Sequence, residues 1–287
     1  MKSRNTILLL LLSVVLLSFQ SEEKTYLQLG MVAPIDKDSV VFAAGFKIFG
    51  ESVGRMISPA LSEKKFKENL ELIKKAKGKL YMCNVMFPAQ LKIAGPDVVE
   101  NDVLAYAEVL FARAEQAKVS IIVLGSGKAR SIPEGYDPEK AKAGFVSLCR
   151  KLALAASKYH VKIALENLQS QETNFITTVK TAAEIVRAVD HPSFGLNADV
   201  FHMRREQESP QQIIDAADVL IHCEIAEHEA RTLPGIKGDD FEPYLTALKQ
   251  AKYEGPIFIE AGINYTPDQI AESFKFLTKQ VKAVYTD

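Results

Sequence analysis

A single closed (β/α)8 barrel is the fold this sequence predicts, and three observations predict it. Strand-like and helix-like patterns alternate along nearly the whole chain, as βα units around a parallel sheet require. The eight strand-like runs follow one another with no composition break and no Gly/Ser linker to divide them. A length of 287 residues suits one such barrel, which typically takes about 250. An open doubly wound sheet is the alternative, but it usually begins with a Gly-rich turn after its first strand, and none stands there.

Residues 1–21 read as a signal peptide ahead of a domain covering 22–287. Lys2 and Arg4 precede an apolar run from Ile7 to Phe19 that is too short to span a bilayer comfortably. No cysteine follows the run, so a lipoprotein box is absent. The expected location is therefore periplasmic or secreted, with an uncleaved N-terminal anchor as the alternative. Strand-like runs then occupy residues 26–32, 47–53, 79–85, 119–124, 162–166, 194–199, 219–226 and 256–260. Amphipathic stretches at 62–77, 101–117, 138–159, 177–189, 239–252 and 267–284 predict helices, and two weaker crossovers lie near 36–46 and 210–217. Ser62 before Glu63, and Thr266 before Pro267 and Asp268, supply N-caps.

Composition narrows the function classes. With 35 basic against 36 acidic residues, the chain has no electrostatic footprint for nucleic acid. Cys83, Cys149 and Cys223 are odd in number and lack zinc or CxxC spacing, so they read as buried thiols acting as small hydrophobes. Nothing in the chain beyond the leader points to a membrane, and a homo-oligomer is left open.

In a parallel barrel the residues that meet substrate stand at the C-terminal strand ends and in the loops after them. That rule selects Glu51, Asn84, Glu166, Glu172, Asp199, His202, the segment from Glu224 to Arg231, and Glu260. Glu166, Asp199, Glu224 and Glu260 each close a strand-like run, so a barrel brings four carboxylates to one mouth, an oxygen-rich set suited to a hard divalent cation. Four unrelated strand-end acids are the bland alternative. The long loops at 86–97 and 125–137 fall at the same mouth, where long loops tend to be functional. In the second of them Lys128, Arg130 and Glu134 read either as mouth-lining residues or as part of a solvated lid. The Gly125-Ser126-Gly127 run lacks the spacing of a phosphate loop, with the next helix expected at about Pro138.

Several segments carry a resemblance in order and spacing: Ile163-Ala-Leu-Glu-Asn-Leu, Glu172-Thr-Asn-Phe, Asn197-Ala-Asp-Val-Phe-His-Met, Cys83-Asn-Val-Met-Phe-Pro with Gly95, the 125–135 loop, Glu224-Ile-Ala-Glu with Arg231, and Tyr253-Glu-Gly-Pro-Ile-Phe-Ile-Glu. Together they resemble the sugar isomerase/epimerase family with the xylose-isomerase-like TIM barrel, which includes ketose 3-epimerases and hydroxypyruvate isomerase. The resemblance implies one divalent metal (manganese, magnesium or cobalt) held at the positions of Glu166, Asp199, Glu224 and Glu260. It also implies Glu166 and Glu260 as the acid/base pair, with Glu172, His202 and Arg231 on a small carbohydrate substrate; Asn84 and His222 complete the candidate binding residues.

One position departs from the family pattern, because the ligand after the seventh strand is usually histidine and here falls on Glu224. His222 lies two residues earlier on the same strand face and is the alternative ligand, and weak metal binding is a third outcome. The activity implied is isomerisation or epimerisation, by removing a proton next to a carbonyl through a metal-stabilised enediolate. A 3-keto-glycoside lyase or hydrolase using the same metal and base, and a non-catalytic sugar-binding barrel, are the alternatives. DNA cleavage by a related barrel type requires a His-rich three-metal cluster and a basic face, and the chain has only five histidines.

Overall fold

The computed structural model describes residues 27–262 and 264–286. The predicted signal peptide, and Tyr26 at the head of the first predicted strand, lie outside the described residues. Eight parallel strands close into one barrel in sequence order: β1 (Leu29–Val32), β2 (Ile48–Ser52), β3 (Lys79–Asn84), β4 (Ile121–Leu124), β5 (Lys162–Glu166), β6 (Phe194–Asp199), β7 (Leu220–Ile225) and β8 (Ile257–Ile259), which pairs back to β1. Every residue of β4 and β6 is buried, as expected where a parallel sheet is covered on both faces.

Inside the barrel, Ile48, Met82, Ile121, Val123, Ala164 and Phe258 pack together. Gly30 and Gly50 share this interior, where an added Cβ would run into Phe258 or Met82. Two small residues thus make room for two large ones, and their apolar layer underlies the polar mouth. A second, larger core lies between the strands and the outer helices.

The outer layer comprises α1 (Asp38–Ala44), α2 (Val53–Met56), α3 (Glu63–Lys75), α4 (Glu100–Gln116), α5 (Gly127–Arg130), α6 (Pro138–Lys158), α7 (Val179–Val189), α8 (Val200–Arg205), α9 (Gln211–Asp215), α10 (Glu242–Gln250) and α11 (Pro267–Tyr285). The predicted caps form: Ser62 Oγ accepts from the Lys65 amide at 3.2 Å, and Thr266 and Gln269 make a reciprocal capping box. Helices α2, α5 and α8 are absent from the sequence-based expectation, being too short to display a helical period. Each begins within three residues of a strand's C-terminal end, so each shapes the mouth. Helix α10 starts at Glu242, later than the predicted 239, because the amides of Gly238 and Asp239 bond the Glu227 carboxylate instead. All three cysteines are free and buried. Among the described residues no helix is long and apolar enough to cross a membrane.

Candidate active site

Strand ends set the positions of the four acids. Glu166 closes β5, Asp199 closes β6, Glu224 is the penultimate residue of β7, and Glu260 follows β8. The register pairs Glu166 with Asn197 and Asp199 with Glu224. One oxygen from each of the four carboxylates lies within 4.8 Å of the others. Glu166, Asp199 and Glu224 are buried, and Glu260 keeps 17% of its side chain exposed toward the opening.

His222 does not join that group. It pairs with Asn197, one inward-facing position deeper than Glu224, and its ring packs 5.2 Å from the Phe258 ring. Its Nε2 lies 3.8 Å from Glu224 Oε1. Complete burial depresses the imidazole to about 3, so it sits neutral beneath the cluster.

Asp199, Glu224 and Glu260 accept hydrogen bonds from neighbours that fix their carboxylates. Asp199 is also the N-cap of α8: its Oδ1 accepts from the amides of Phe201 at 2.8 Å and His202 at 3.3 Å, leaving Oδ2 to the site. The fully buried Asn167 clamps the Asp199 backbone, accepting from its amide at 2.9 Å and donating to its carbonyl at 3.3 Å. Asn197 Nδ2 donates to Glu224 Oε2 at 2.5 Å, while Glu224 Oε1 has no hydrogen-bond partner among the described residues. Asn84 Nδ2 donates to Glu260 Oε1. Neither Asn167 nor Asn197 was singled out from the sequence; only their places beside Glu166 and two before Asp199 in the quoted motifs hinted at them.

Three more predicted residues gather here. His202 Nε2 stands 3.5 Å from Glu166 Oε1 and 3.4 Å from Asp199 Oδ2, with Nδ1 3.9 Å from Glu172 Oε1. Burial alone would lower its pKa, but Asp199 and Glu166 outweigh that and raise it to about 9. Arg231 Nη2 bridges Asp199 Oδ2 and Glu260 Oε2, and its Nε donates to the Glu260 carbonyl at 2.9 Å. Burial pushes the Glu166 and Glu224 carboxyls well above the usual carboxylate range, with neighbouring acids adding to the rise. Glu51, by contrast, is tied down locally, accepting from the amides of Ile35 at 3.2 Å and Ser52 at 2.8 Å and pairing with Arg55.

In the loop after β4, Lys128 and Glu134 are exposed, but Arg130 belongs neither to a solvated lid nor to the mouth lining. Arg130 is fully buried, and its guanidinium donates to the carbonyls of Leu124 at 3.2 Å, Glu166 at 2.8 Å and Ile176 at 2.9 Å. Gly125 abuts Glu166 so closely that a Cβ there would collide with Oε2. Glu227, the last residue of the quoted Glu224-Ile-Ala-Glu segment, is also fully buried. Its carboxylate accepts from the Thr232 hydroxyl at 2.7 Å and from the amides of Gly235, Lys237, Gly238 and Asp239 at 2.6–3.3 Å, which folds the loop that presents Arg231.

The donor set fits a hard divalent cation. The four carboxylates offer oxygens, His202 with Glu166 and Asp199 forms a second candidate set that adds a ring nitrogen, and the unpartnered, fully buried Glu224 Oε1 is a polar atom whose burial costs free energy unless something binds it. With all four acids ionised, Arg231 and a protonated His202 would offset two negative charges and a divalent ion the other two.

A closed barrel with convergent acids at its mouth defines an α/β barrel with its candidate site at the C-terminal strand ends, and the sequence comparisons supply the family. The chain belongs to the xylose isomerase-like TIM barrel family, whose pattern matches residues 40–280. Curated relatives include a ketose 3-epimerase from Arthrobacter globiformis, 29% identical over 112 residues (39% of this chain, 38% of the relative), and an L-ribulose 3-epimerase from Methylomonas sp., 28% identical over 155 residues (54% and 52%). The matched segments thus span about half or less of those relatives' lengths. Among solved structures, a D-allulose 3-epimerase from Methylomonas sp. superposes with a TM-score of 0.75 at 18% identity, covering 89% of this chain and 98% of its own. The 3-keto-D-glucoside 4-epimerase from E. coli gives 0.74 at 18% identity, covering 88% and 99%. At such identities these two likenesses establish the fold.

Proposed function

We propose that the protein is a divalent-metal-dependent epimerase or isomerase of a free ketose. The observation that carries this reading is the convergence of Glu166, Asp199, Glu224 and Glu260, with one oxygen of each within 4.8 Å of the others. Its ketose 3-epimerase relatives support the substrate class.

Glu166, Asp199, Glu224 and Glu260 would hold the ion, with Mn2+ foremost and Mg2+ or Co2+ as alternatives. When bound, it supplies an electrophile for a substrate carbonyl and the adjacent hydroxyl. The chain's own residues do the rest. Glu166 takes the proton from the carbon next to the carbonyl, and Glu260 returns one on the opposite face. Desolvation of Glu166 makes it a stronger base than an exposed carboxylate, narrowing the gap to a carbon acid. Asn84 and Arg231 fix Glu260, and His202 stands between Glu166 and Glu172, placed to orient a sugar hydroxyl. The proposal extends to a periplasmic or secreted location, on the strength of the charged, apolar N-terminal segment alone.

The test is hydrogen exchange. Protein loaded with Mn2+ is incubated in D2O with D-fructose, D-allulose and L-ribulose, and deuterium at C1 and C3 is followed by NMR. Incorporation that disappears in Glu260→Gln supports the reading. No incorporation into any of the three by metal-loaded protein sinks it.

A further inference from the structure

The segment from Gly125 to Arg130 is built as a buried wedge behind the site. Gly125 has no space for a Cβ because the Glu166 carboxylate fills it, and a Cβ on Gly127 would crowd the Glu172 carbonyl. Ser126 adopts the left-handed conformation (φ 46°), and its Oγ accepts from the Phe87 amide at 2.9 Å, tying the wedge to the loop after β3. The helix that follows is a single turn, α5, ending on Arg130.

Among the described residues Arg130 makes no direct pair with a carboxylate. Burying a guanidinium is costly unless its donors are satisfied; the two Nη groups go to main-chain carbonyls at three places, the end of β4, Glu166 itself and Ile176, while Nε has no partner among the described residues. Ile176 is the informative partner. It is a buried, β-branched residue held at φ 65°, a strained conformation that persists only where its surroundings over-determine it. Between Glu166 and Ile176 runs the loop that carries Glu172. One rigid fork therefore pins both ends of the segment bearing the two acids that stand on either side of His202.

We infer that Arg130 is a positioning residue, which sets Glu166 and Glu172 in register through their backbone while Gly125 sets the Glu166 carboxylate from the side. This rests on the proposed metal-dependent chemistry of the same site. A planar fork that reaches carbonyls on two segments cannot be reproduced by an ammonium, so even the charge-conserving Arg130→Lys loses the function.

Arg113 is an internal control. It too is a buried arginine whose guanidinium bonds main-chain carbonyls, those of Ser58 and Leu61, and it also pairs with the Glu63 carboxylate, but none of its partners belongs to the site. Mn2+ affinity, measured by the EPR signal of free ion, and thermal stability are compared for wild type, Arg130→Lys, Arg130→Met and Arg113→Lys, with kcat and KM where turnover is found. The expected result is a tenfold or greater loss of Mn2+ affinity, and a fall in kcat larger than the change in KM, in Arg130→Lys. Arg113→Lys, at a similar drop in Tm, keeps wild-type affinity. Wild-type affinity and kcat in folded Arg130→Lys would overturn the inference, as would an equal loss in Arg113→Lys. If both Arg130 variants fail to fold, Gly125→Ala carries the test by the same affinity readout, and wild-type affinity there overturns the wedge. Absence of Mn2+ binding by the wild type would defeat the proposed function instead, so the two failures are distinguishable.

Discussion

Asp199 and Glu224 face each other across the β6–β7 ladder, and that pairing decides which β7 residue completes the acid cluster. A register one inward-facing step different would have put His222 at the mouth. The four-acid cluster is carboxylate throughout as a result. Glu224→Gln is expected to weaken Mn2+ binding by tenfold or more, about 1.4 kcal/mol, while leaving metal-free stability unchanged or higher, since it removes a buried carboxyl crowded by Glu260 and Asp199. Calorimetric titration and thermal melts check both halves.

Glu224→His introduces an imidazole nitrogen, a donor that suits zinc and cobalt better than it suits magnesium. The ratio of Zn2+ to Mn2+ affinity is expected to rise by about tenfold over wild type. An unchanged ratio would mean that residue 224 does not touch the ion.

Stability of the metal-free protein should fall as pH rises. Burial raises the Glu166 and Glu224 carboxyls above their unfolded values, so the folded state binds more protons than the unfolded one above about pH 4.5. The slope of stability with pH is then negative, with the favourable contribution complete below the unfolded pKa and lost as pH climbs through the folded ones. A divalent ion replaces those protons. The Tm gain from adding Mn2+ should therefore grow from pH 5 to pH 8, and a gain that shrinks over that range would contradict the account.

Gly125→Ala tests the packing against Glu166. The colliding atom is the far end of a flexible side chain, so the fold should survive with a Tm within a few degrees of wild type while Glu166 turns away and Mn2+ affinity drops about tenfold. A wild-type affinity isotherm would show that the carboxylate has another way to reach the ion.

Glu227→Ala removes the acceptor for five donors in the loop after β7. Leaving several of these unsatisfied should cost roughly 3 kcal/mol or more, read as a shift of the urea midpoint. Arg231 loses its framework in the same step, so substrate affinity should fall with it.

The parts of the molecule that repeat a pattern were legible from the sequence. Strands β5 and β6 have the predicted boundaries, and Glu166, Asp199 and Glu260 gather at one mouth because a strand end in a parallel barrel has one destination. Arg130 was opaque for a physical reason: glycine and charge mark a solvated loop on average, and only the tertiary contacts show that here the glycines admit a carboxylate and the charge is spent on buried carbonyls. Glu227 was opaque likewise, since nothing local distinguishes an acid that folds its own loop from one that faces solvent. Helices α2, α5 and α8 are too short to carry a period, and they surround the site.

The most direct measurement is calorimetric titration of Mn2+ into the metal-stripped protein, wild type beside Asp199→Asn and Glu260→Gln. The account predicts one equivalent bound by the wild type with micromolar or tighter affinity, and at least tenfold weaker binding in each variant. No saturable binding by the wild type, or the same isotherm in all three proteins, would contradict it.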